Sequence, residues 1–483
     1  MLNQYSIDIK ENKEEYKLLA FGVLVLITTR IIAFLLFPVY DDAFITFRYA
    51  ENLNSGLGFV YNQGENILGV TTPLWGIVSF ILSFLGLKLP LSAQILNIIL
   101  DSLVLFLSFR LFFKNDRFSF LIFTALYSIS PMMARITIGG MEMNLFLLSI
   151  LITISLYNSE KKYWSILVSS LAYFIRPEAV FLVFIIILTE FFKGNRLKSI
   201  YLALFSLLIV SPLLYFIYLN YGSFIPQSIS AKWGLEKNSI LKTFLEIVTK
   251  DKIALALLPL TIIGIYKTFR SNPKIRILSL YSLTFLIIYT LLRVQIWNWY
   301  SAPIIYTQYL LISFGVKFFL EKYRIYDNLK TSKYLIFSLI LSPIIFWSAL
   351  KLYFKSDNVT SNIYKPINDY FYNIQNKEKL SILANDIGII GYASKSYIFD
   401  SEGLISPTYR NYLNLSDMID KNKFDYLFIN VTRFNISLIN SKFSNFYNPV
   451  KRFSKSGVSE LKPDTNLLNN SWQQDYILYK RMQ

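Results

Sequence analysis

The 483-residue chain contains neither cysteine nor histidine. The first absence excludes disulfides, thiolate chemistry and Cys-based metal sites; the second removes the usual general base near neutral pH and the commonest zinc ligand. Acid–base chemistry therefore falls to Asp, Glu, Lys or Tyr. Acidic residues are also scarce, 31 against 48 Lys and Arg, for a formal net charge of +17. Apolar residues are plentiful: 54% of the chain is hydrophobic and 17% aromatic, with a mean hydropathy of +0.43. That is too apolar for a water-soluble chain of this length, and it reads as an integral membrane protein whose first partner is the lipid bilayer. Lys and Arg fall mostly in short loops between apolar runs. Positive-inside bias explains that placement better than nucleic-acid binding, and no nucleic-acid partner is expected.

Apolar runs long enough to span, or nearly so, occur at 17–39, 92–113, 117–131, 144–158, 163–176, 178–192, 199–219, 253–267, 277–292, 302–320 and 334–352, about eleven transmembrane helices. No small-residue cleavage pattern follows the first, so it reads as a retained span. A further segment, 73–89, decides the parity of everything after it. If it does not cross and the N-terminus is cytoplasmic, the clusters Lys114/Arg117, Lys161/Lys162, Lys193/Arg196/Lys198, Lys267/Arg270/Lys274/Arg276 and Lys322/Arg324/Lys330/Lys333 all lie inside. If it crosses, they move outside, against the insertion bias. Residues 73–89 are therefore expected to form an interfacial helix on the outer side, with Pro73 at its start and Trp75 at headgroup level. The chain divides on this reading into a transmembrane module, 1–352, with a first outer loop at 40–91, and a soluble extracytoplasmic α/β domain at 353–483. Within the latter, Lys395–Asp400 and Phe424–Val431 read as strands.

The outer side then collects the unusual sequences: Asp41-Asp42 directly after the first span, Gly139-Gly140-Met141-Glu142, Arg176-Pro177-Glu178, Pro226 to Lys232, and Arg293 to Tyr300. An Asp at a bilayer boundary carries a desolvation cost of up to a few kcal/mol unless it meets water, a cation or a partner, so an adjacent pair points to a site. Such carboxylates among basic residues suit a substrate with a phosphate and a lipid tail. Lys232, Arg176 and Arg293 would neutralise phosphate charge while Asp41 or Asp42 takes a proton from an incoming hydroxyl. Plainer roles stand beside these: snorkelling for Arg293 and Lys232, pairing with Glu178 for Arg176, a helix N-terminus for Glu142. Trp297, Trp299 and Tyr300 fit either an interfacial belt or a surface on which a sugar or isoprenoid stacks. Arg30, inside the first span, would snorkel or meet a lipid phosphate.

The stretch Asp41-Asp-Ala-Phe-Ile-Thr-Phe-Arg-Tyr-Ala50, then Gly56 to Asn62, Gly64-Glu65 and Gly69-Val-Thr-Thr-Pro-Leu-Trp75, resembles the first outer loop of bacterial GT-C glycosyltransferases. It is most similar to the arabinofuranosyltransferases that finish mycobacterial cell-wall arabinan, and to their uncharacterised relatives. Gly140-Met-Glu142, Arg176-Pro-Glu178, Ala231-Lys232, Trp299-Tyr300 with Pro303, Asp386 to Tyr392 and Asp400 to Pro407 extend the match. The resemblance implies a GT-C fold with interfacial helices in the first outer loop, in a bacterial inner membrane. It implies inverting transfer of a sugar from a polyprenyl-phosphate donor to a cell-envelope glycan or lipid-linked acceptor at the outer face. Asp41 and Asp42 then carry the general-base role, with Asp41 narrowly favoured. Lys232, Arg176 and Arg293 would bind donor phosphate, and Glu142, Glu178, Arg48, Trp299 and Tyr300 would contact substrate. The donor sugar does not carry over.

No cofactor is assigned on this reading, and metal dependence stays open. The Asp pair could hold a divalent cation, but one short acidic cluster argues weakly against it, and no metal ligand is assigned. Two other classes compete: a transporter or lipid flippase with an acidic gate, and a non-catalytic envelope assembly factor. The acidic residues sit at loop positions on one face, and broken midplane helices in inverted repeats are not evident, which disfavours the transporter.

Overall fold

In hydrocarbon a backbone satisfies its own N–H and C=O groups only as a helix or a closed barrel, so apolar runs of this length are committed to helices. The computed structural model describes residues 2–233, 238–323, 346, 360–374, 377–431, 442–454, 457–460 and 475–482. Its helices begin with α1 (Leu2–Leu36), α2 (Asp41–Asn54), α3 (Pro73–Phe84), α4 (Leu91–Ser108), α5 (Arg117–Ile129), α6 (Pro131–Ile138), α7 (Met143–Asn158), α8 (Lys162–Ala172) and α9 (Ala179–Phe192). They continue with α10 (Arg196–Tyr221), α11 (Gln227–Trp233), α12 (Ile240–Val248), α13 (Lys252–Ala256), α14 (Leu258–Thr268), α15 (Pro273–Leu292) and α16 (Ala302–Lys322).

Among the described residues five helices are long and apolar enough to cross a bilayer: Glu14–Leu36, Leu91–Phe113, Arg196–Tyr221, Pro273–Leu292 and Asn298–Lys322. A sixth is formed if α5 and α6, bent by 63°, count as one span. The runs at 144–158, 163–176 and 178–192 fold as the shorter α7, α8 and α9, and the run at 253–267 breaks at Leu257 between α13 and α14. The run at 334–352 lies, apart from Phe346, outside the described residues. The 12 residues of α3 reach only about 18 Å at 1.5 Å per residue, short of a hydrocarbon core of about 30 Å. Its Trp75, expected at headgroup level, is instead wholly enclosed by protein.

Packing divides the chain into two compact units, Met1–Leu35 with Gln94–Leu213 and Glu236–Lys355, and Leu36–Ala93 with Leu214–Leu235 and Ser356–Gln483. In the first unit, α14 and α16 meet backbone to backbone: a Cβ on Gly264 would overlap the Leu311 carbonyl, and one on Gly315 the Leu260 carbonyl. Small residues permit this close approach, which favours helix association where lipid gives no hydrophobic drive.

Arg30 neither snorkels nor faces lipid. Its Nε donates to Asp101 Oδ2 at 2.7 Å, and its remaining nitrogens reach the carbonyls of Ser128 at 3.0 Å and Tyr127 at 3.3 Å. Those carbonyls belong to the last turn of α5, where Pro131 interrupts the helix and orphans acceptors. Asp101 in turn accepts from Tyr127 Oη at 2.5 Å and Thr137 Oγ1 at 2.9 Å. The buried pair thus ties α1, α4 and both halves of the bent span.

The second unit is built on a six-stranded mixed sheet of order β2-β1-β3-β6-β4-β5, with β1 (Ser381–Ala384), β2 (Tyr397–Asp400), β3 (Tyr426–Asn430), β4 (Tyr447–Ser454), β5 (Gly457–Glu460) and β6 (Tyr476–Arg481). The expected strands at Lys395–Asp400 and Phe424–Val431 are β2 and β3. β1 pairs in parallel with β2 on one side and β3 on the other, and the antiparallel strands follow beyond β3. Leu383, Phe399, Leu427, Ile429, Ile477 and Tyr479 form the core of one face.

Removing one partner of the membrane ion pair leaves the other charge buried alone. Arg30→Met or Asp101→Leu is expected to cost about 3–5 kcal/mol, and the double variant less than their sum. Thermal unfolding of the detergent-purified protein reads both.

Candidate active site

Tyr40, in extended conformation, turns the chain from α1 into α2, whose first two residues are Asp41 and Asp42. Carboxylates in the first turn are favoured by the helix dipole. Every residue from Ala43 to Ala50 is buried, so this stretch of α2 is enclosed on all sides. Within the same unit it packs against the short Gly388–Ser394 helix that follows β1: Phe44 lies 5.3 Å from Tyr392 and 5.5 Å from Tyr364, centroid to centroid.

The Asp41 carboxylate meets the start of that short helix. Gly388 N–H donates to its Oδ2 and Ile389 N–H to its Oδ1, each at 2.9 Å. A Cβ at position 388 would overlap the carbonyl and carboxylate oxygens of Asp41, so the glycine is demanded by this approach rather than by its backbone angles. Burial raises the Asp41 pKa, the nearby charge of Asp386 raises it further, and Asp42 adds to both; the two N–H bonds offset part of this, leaving it pushed up to about 7. Asp386 is itself anchored through Oδ2 by Asn430 Nδ2 at 3.0 Å and Tyr476 Oη at 2.9 Å. It sits at the carboxyl end of β1, where the strand order switches direction, the position at which open α/β sheets bind ligands.

Arg48, expected to contact substrate, is turned away from solvent. Its nitrogens donate to the carbonyls of Tyr61 at 2.8 Å, Gly391 at 2.8 Å and Ser396 at 2.6 Å, and its guanidinium lies 4.1 Å from the Tyr61 ring centroid. The reason is local: this stretch of α2 is buried all round, so a guanidinium on it must find protein acceptors. Tyr61 Oη donates to the Ile387 carbonyl. Asn62 donates to the Ile398 carbonyl at 2.8 Å and accepts from its N–H at 3.0 Å, closing the free edge of β2 as a paired strand would. Lys395 and Tyr392 both engage Glu51. Lys232 is part-buried on α11, in the same unit. That helix is tied in by Gln227, whose N–H donates to the Leu68 carbonyl at 2.8 Å and whose Nε2 donates to the Gly403 carbonyl at 2.9 Å. Arg410 Nη2 also donates to the Ser230 carbonyl there, at 2.7 Å.

The other named residues belong to the first unit. Arg176, only 4% exposed, donates from Nη1 to Glu142 Oε1 at 2.7 Å, from Nη2 to Glu178 Oε1 at 2.6 Å and from Nε to Glu178 Oε2 at 3.0 Å. Its guanidinium lies 4.3 Å from the Tyr300 ring centroid. Tyr289 Oη donates to Glu178 at 2.5 Å. Arg176 is thus enclosed between two carboxylates. A direct contact with donor phosphate does not suit it, because its charge is already more than balanced. Glu142 and Glu178, expected to contact substrate, are buried at 0% and 2% exposure. Trp299 is buried and stacked on Trp297 at 5.8 Å, and Tyr300 is part-buried. Arg293 is exposed, at the left-handed end of α15 with φ 55°.

Sequence reasoning did not assign Asp386 a role, although it lay in the matched Asp386–Tyr392 stretch; its position between β1 and a helix start was the available signal. Among the described residues no group of three or more His, Cys, Asp or Glu is placed to hold a metal ion.

Residues 363–479 match a family model described as a domain of unknown function (DUF8728). No curated protein matches the chain. Two solved structures of ArnT from Cupriavidus metallidurans are similar over 95% of this chain and 97% of theirs, each at 10% sequence identity. The apo state gives a TM-score of 0.61 and the form bound to undecaprenyl phosphate 0.58. The chain therefore has the GT-C fold, a polytopic helical membrane protein with a small C-terminal sheet domain. The likeness supports that broad class and does not single out the arabinofuranosyltransferase group.

Lysine cannot reach the three carbonyls that Arg48 holds, and desolvates poorly in their place. Arg48→Lys is expected to lower unfolding stability by about 2–4 kcal/mol. Thermal denaturation checks this; a surface substrate-binding residue would leave stability unchanged.

Proposed function

We propose that the protein is a membrane glycosyltransferase that moves a sugar from a polyprenyl-phosphate donor to a cell-envelope glycan or lipid-linked acceptor at the outer face of the inner membrane. The observation that carries this is the fold likeness over nearly the whole chain to ArnT, solved with undecaprenyl phosphate bound. The Asp41 environment supports the same reading, because a carboxyl pushed up to about 7 is well matched to general-base work near neutral pH.

In the proposed step Asp41 accepts the proton of the acceptor hydroxyl as its oxygen attacks the anomeric carbon. The bond to the polyprenyl phosphate breaks on the opposite face, so configuration inverts. One lone pair on each Asp41 oxygen is taken by a backbone N–H, which leaves the other free for the acceptor. Asp42 orients the acceptor and tunes Asp41 by like charge. Lys232, on α11 in the same unit as Asp41, stabilises the departing phosphate. Arg176, with Glu142 and Glu178, acts as a positioning residue that fixes Tyr300.

Activity should rise with pH through about 7 as Asp41 loses its proton. Asp42→Asn removes a neighbouring negative charge and so should move that rise to lower pH while activity persists; Asp41→Asn should be inactive although inserted at normal abundance. Transfer from a polyprenyl-phosphate sugar, followed across pH in membranes, measures all three. Inactive Asp42→Asn with active Asp41→Asn would exchange the two roles. Full activity in the double variant would refute an Asp base, and an envelope factor or transporter would show no transfer in any form.

A further inference from the structure

α11 is seven residues long, and a helix that short does not hold its shape in isolation, because its few internal bonds do not offset the cost of nucleation. Its ends are closed from outside instead. At the first turn, Gln227 N–H donates to the Leu68 carbonyl at 2.8 Å and Gln227 Nε2 to the Gly403 carbonyl at 2.9 Å. At the last turn, Arg410 Nη2 donates at 2.7 Å to the Ser230 carbonyl, one of the four acceptors that a helix end leaves without an internal partner. Lys232 stands two residues beyond that carbonyl.

Gly403 and Arg410 belong to one loop that follows β2. Asp400, wholly buried at the end of that strand, accepts from the N–H groups of Glu402, Leu404 and Ile405, which wraps the loop round its carboxylate. Gly403 turns there with φ 81°, and a Cβ on it would overlap the Tyr409 ring, so the position demands glycine. Gly69, next to Leu68, approaches the same loop so closely that a Cβ would overlap Ile405 and the Leu404 carbonyl. The groups that close α11 are therefore parts of one packed support. We propose that the 401–410 loop braces α11 and so positions Lys232 for the phosphate of a polyprenyl-phosphate lipid, which gives the C-terminal sheet domain a part in donor binding. This rests on the phosphate role proposed above for Lys232. Gln227 and Arg410 are positioning residues, since each acts through a backbone carbonyl of the brace.

Binding of undecaprenyl phosphate to the purified full-length protein in detergent tests this. Gln227→Leu and Arg410→Ala each remove one bond of the brace and should weaken binding about fivefold. Arg410→Lys, which keeps a charged donor, should recover most of the loss. In a Lys232→Met background, itself weakened, neither substitution should weaken binding further. Wild-type affinity in both Gln227→Leu and Arg410→Ala overturns the proposal. So does an equal further loss in the Lys232→Met background, which would mean that loop and lysine act independently, as a general loss of structure would make them. A loss confined to Arg410→Ala would mean that this arginine meets the phosphate itself, and overturns it too. The expected pattern without sugar transfer would refute the proposed reaction and leave the brace standing; a wild-type protein that binds no undecaprenyl phosphate refutes both.

Discussion

Two backbone N–H groups at the start of the Gly388–Ser394 helix receive the carboxylate of Asp41, and much of the second unit is arranged so that they can. The glycine at 388 leaves room for the contact. Arg48 and Tyr61 hold the backbone on either side of it, through Gly391, Ser396 and Ile387. Asn62 fixes the edge of β2. A catalytic carboxylate gains from being held within a few tenths of an ångström and from a pKa close to the working pH. Here one contact serves both ends: it orients Asp41 and brings it near Asp386, whose charge, after burial itself, most raises its proton affinity.

Three buried arginines show how the chain uses charge away from water. Arg48 is met only by neutral oxygens of the backbone and Asn62, Arg30 by one carboxylate and two carbonyls, and Arg176 by two carboxylates. Guanidinium suits all three because its planar fork satisfies several acceptors at once. The differing charge balance separates their consequences. The Arg30 group is neutral and closes a broken span; the Arg48 group remains positive and staples a loop; the Arg176 group joins Glu142 to Glu178.

Much of the helical layout was legible because hydropathy and the need for internal hydrogen bonding act locally. The runs at 17–39, 199–219, 277–292 and 302–320 became α1, α10, α15 and α16, and the strand patterns became β2 and β3. Helix breaks were harder to read: Pro131 was visible, but the 63° bend depends on what receives the freed carbonyls, and Arg30 and Asp101 are 71 residues apart. The site itself was half legible. The Asp pair announced itself by its cost near lipid. Its partners Gly388 and Ile389, and the Gly391 and Ser396 carbonyls that Arg48 meets, lie more than 340 residues away in sequence, and no local pattern records which carbonyl a buried guanidinium will meet. The same limit hid Arg176, where adjacency to Glu178 was plain and the second carboxylate was not.

Asp41 is held by the helix start after β1, and this contact sets its proton affinity. Hydrogen–deuterium exchange of the segment spanning Asp386 to Ser394, compared between wild type, Asp41→Ala and Asp42→Ala, tests it most directly. The account predicts that Asp41→Ala alone releases protection at Gly388 and Ile389 while the β1 and β3 strands stay protected. Equal exchange in all three proteins would show that Asp41 does not anchor this helix, and would contradict the account.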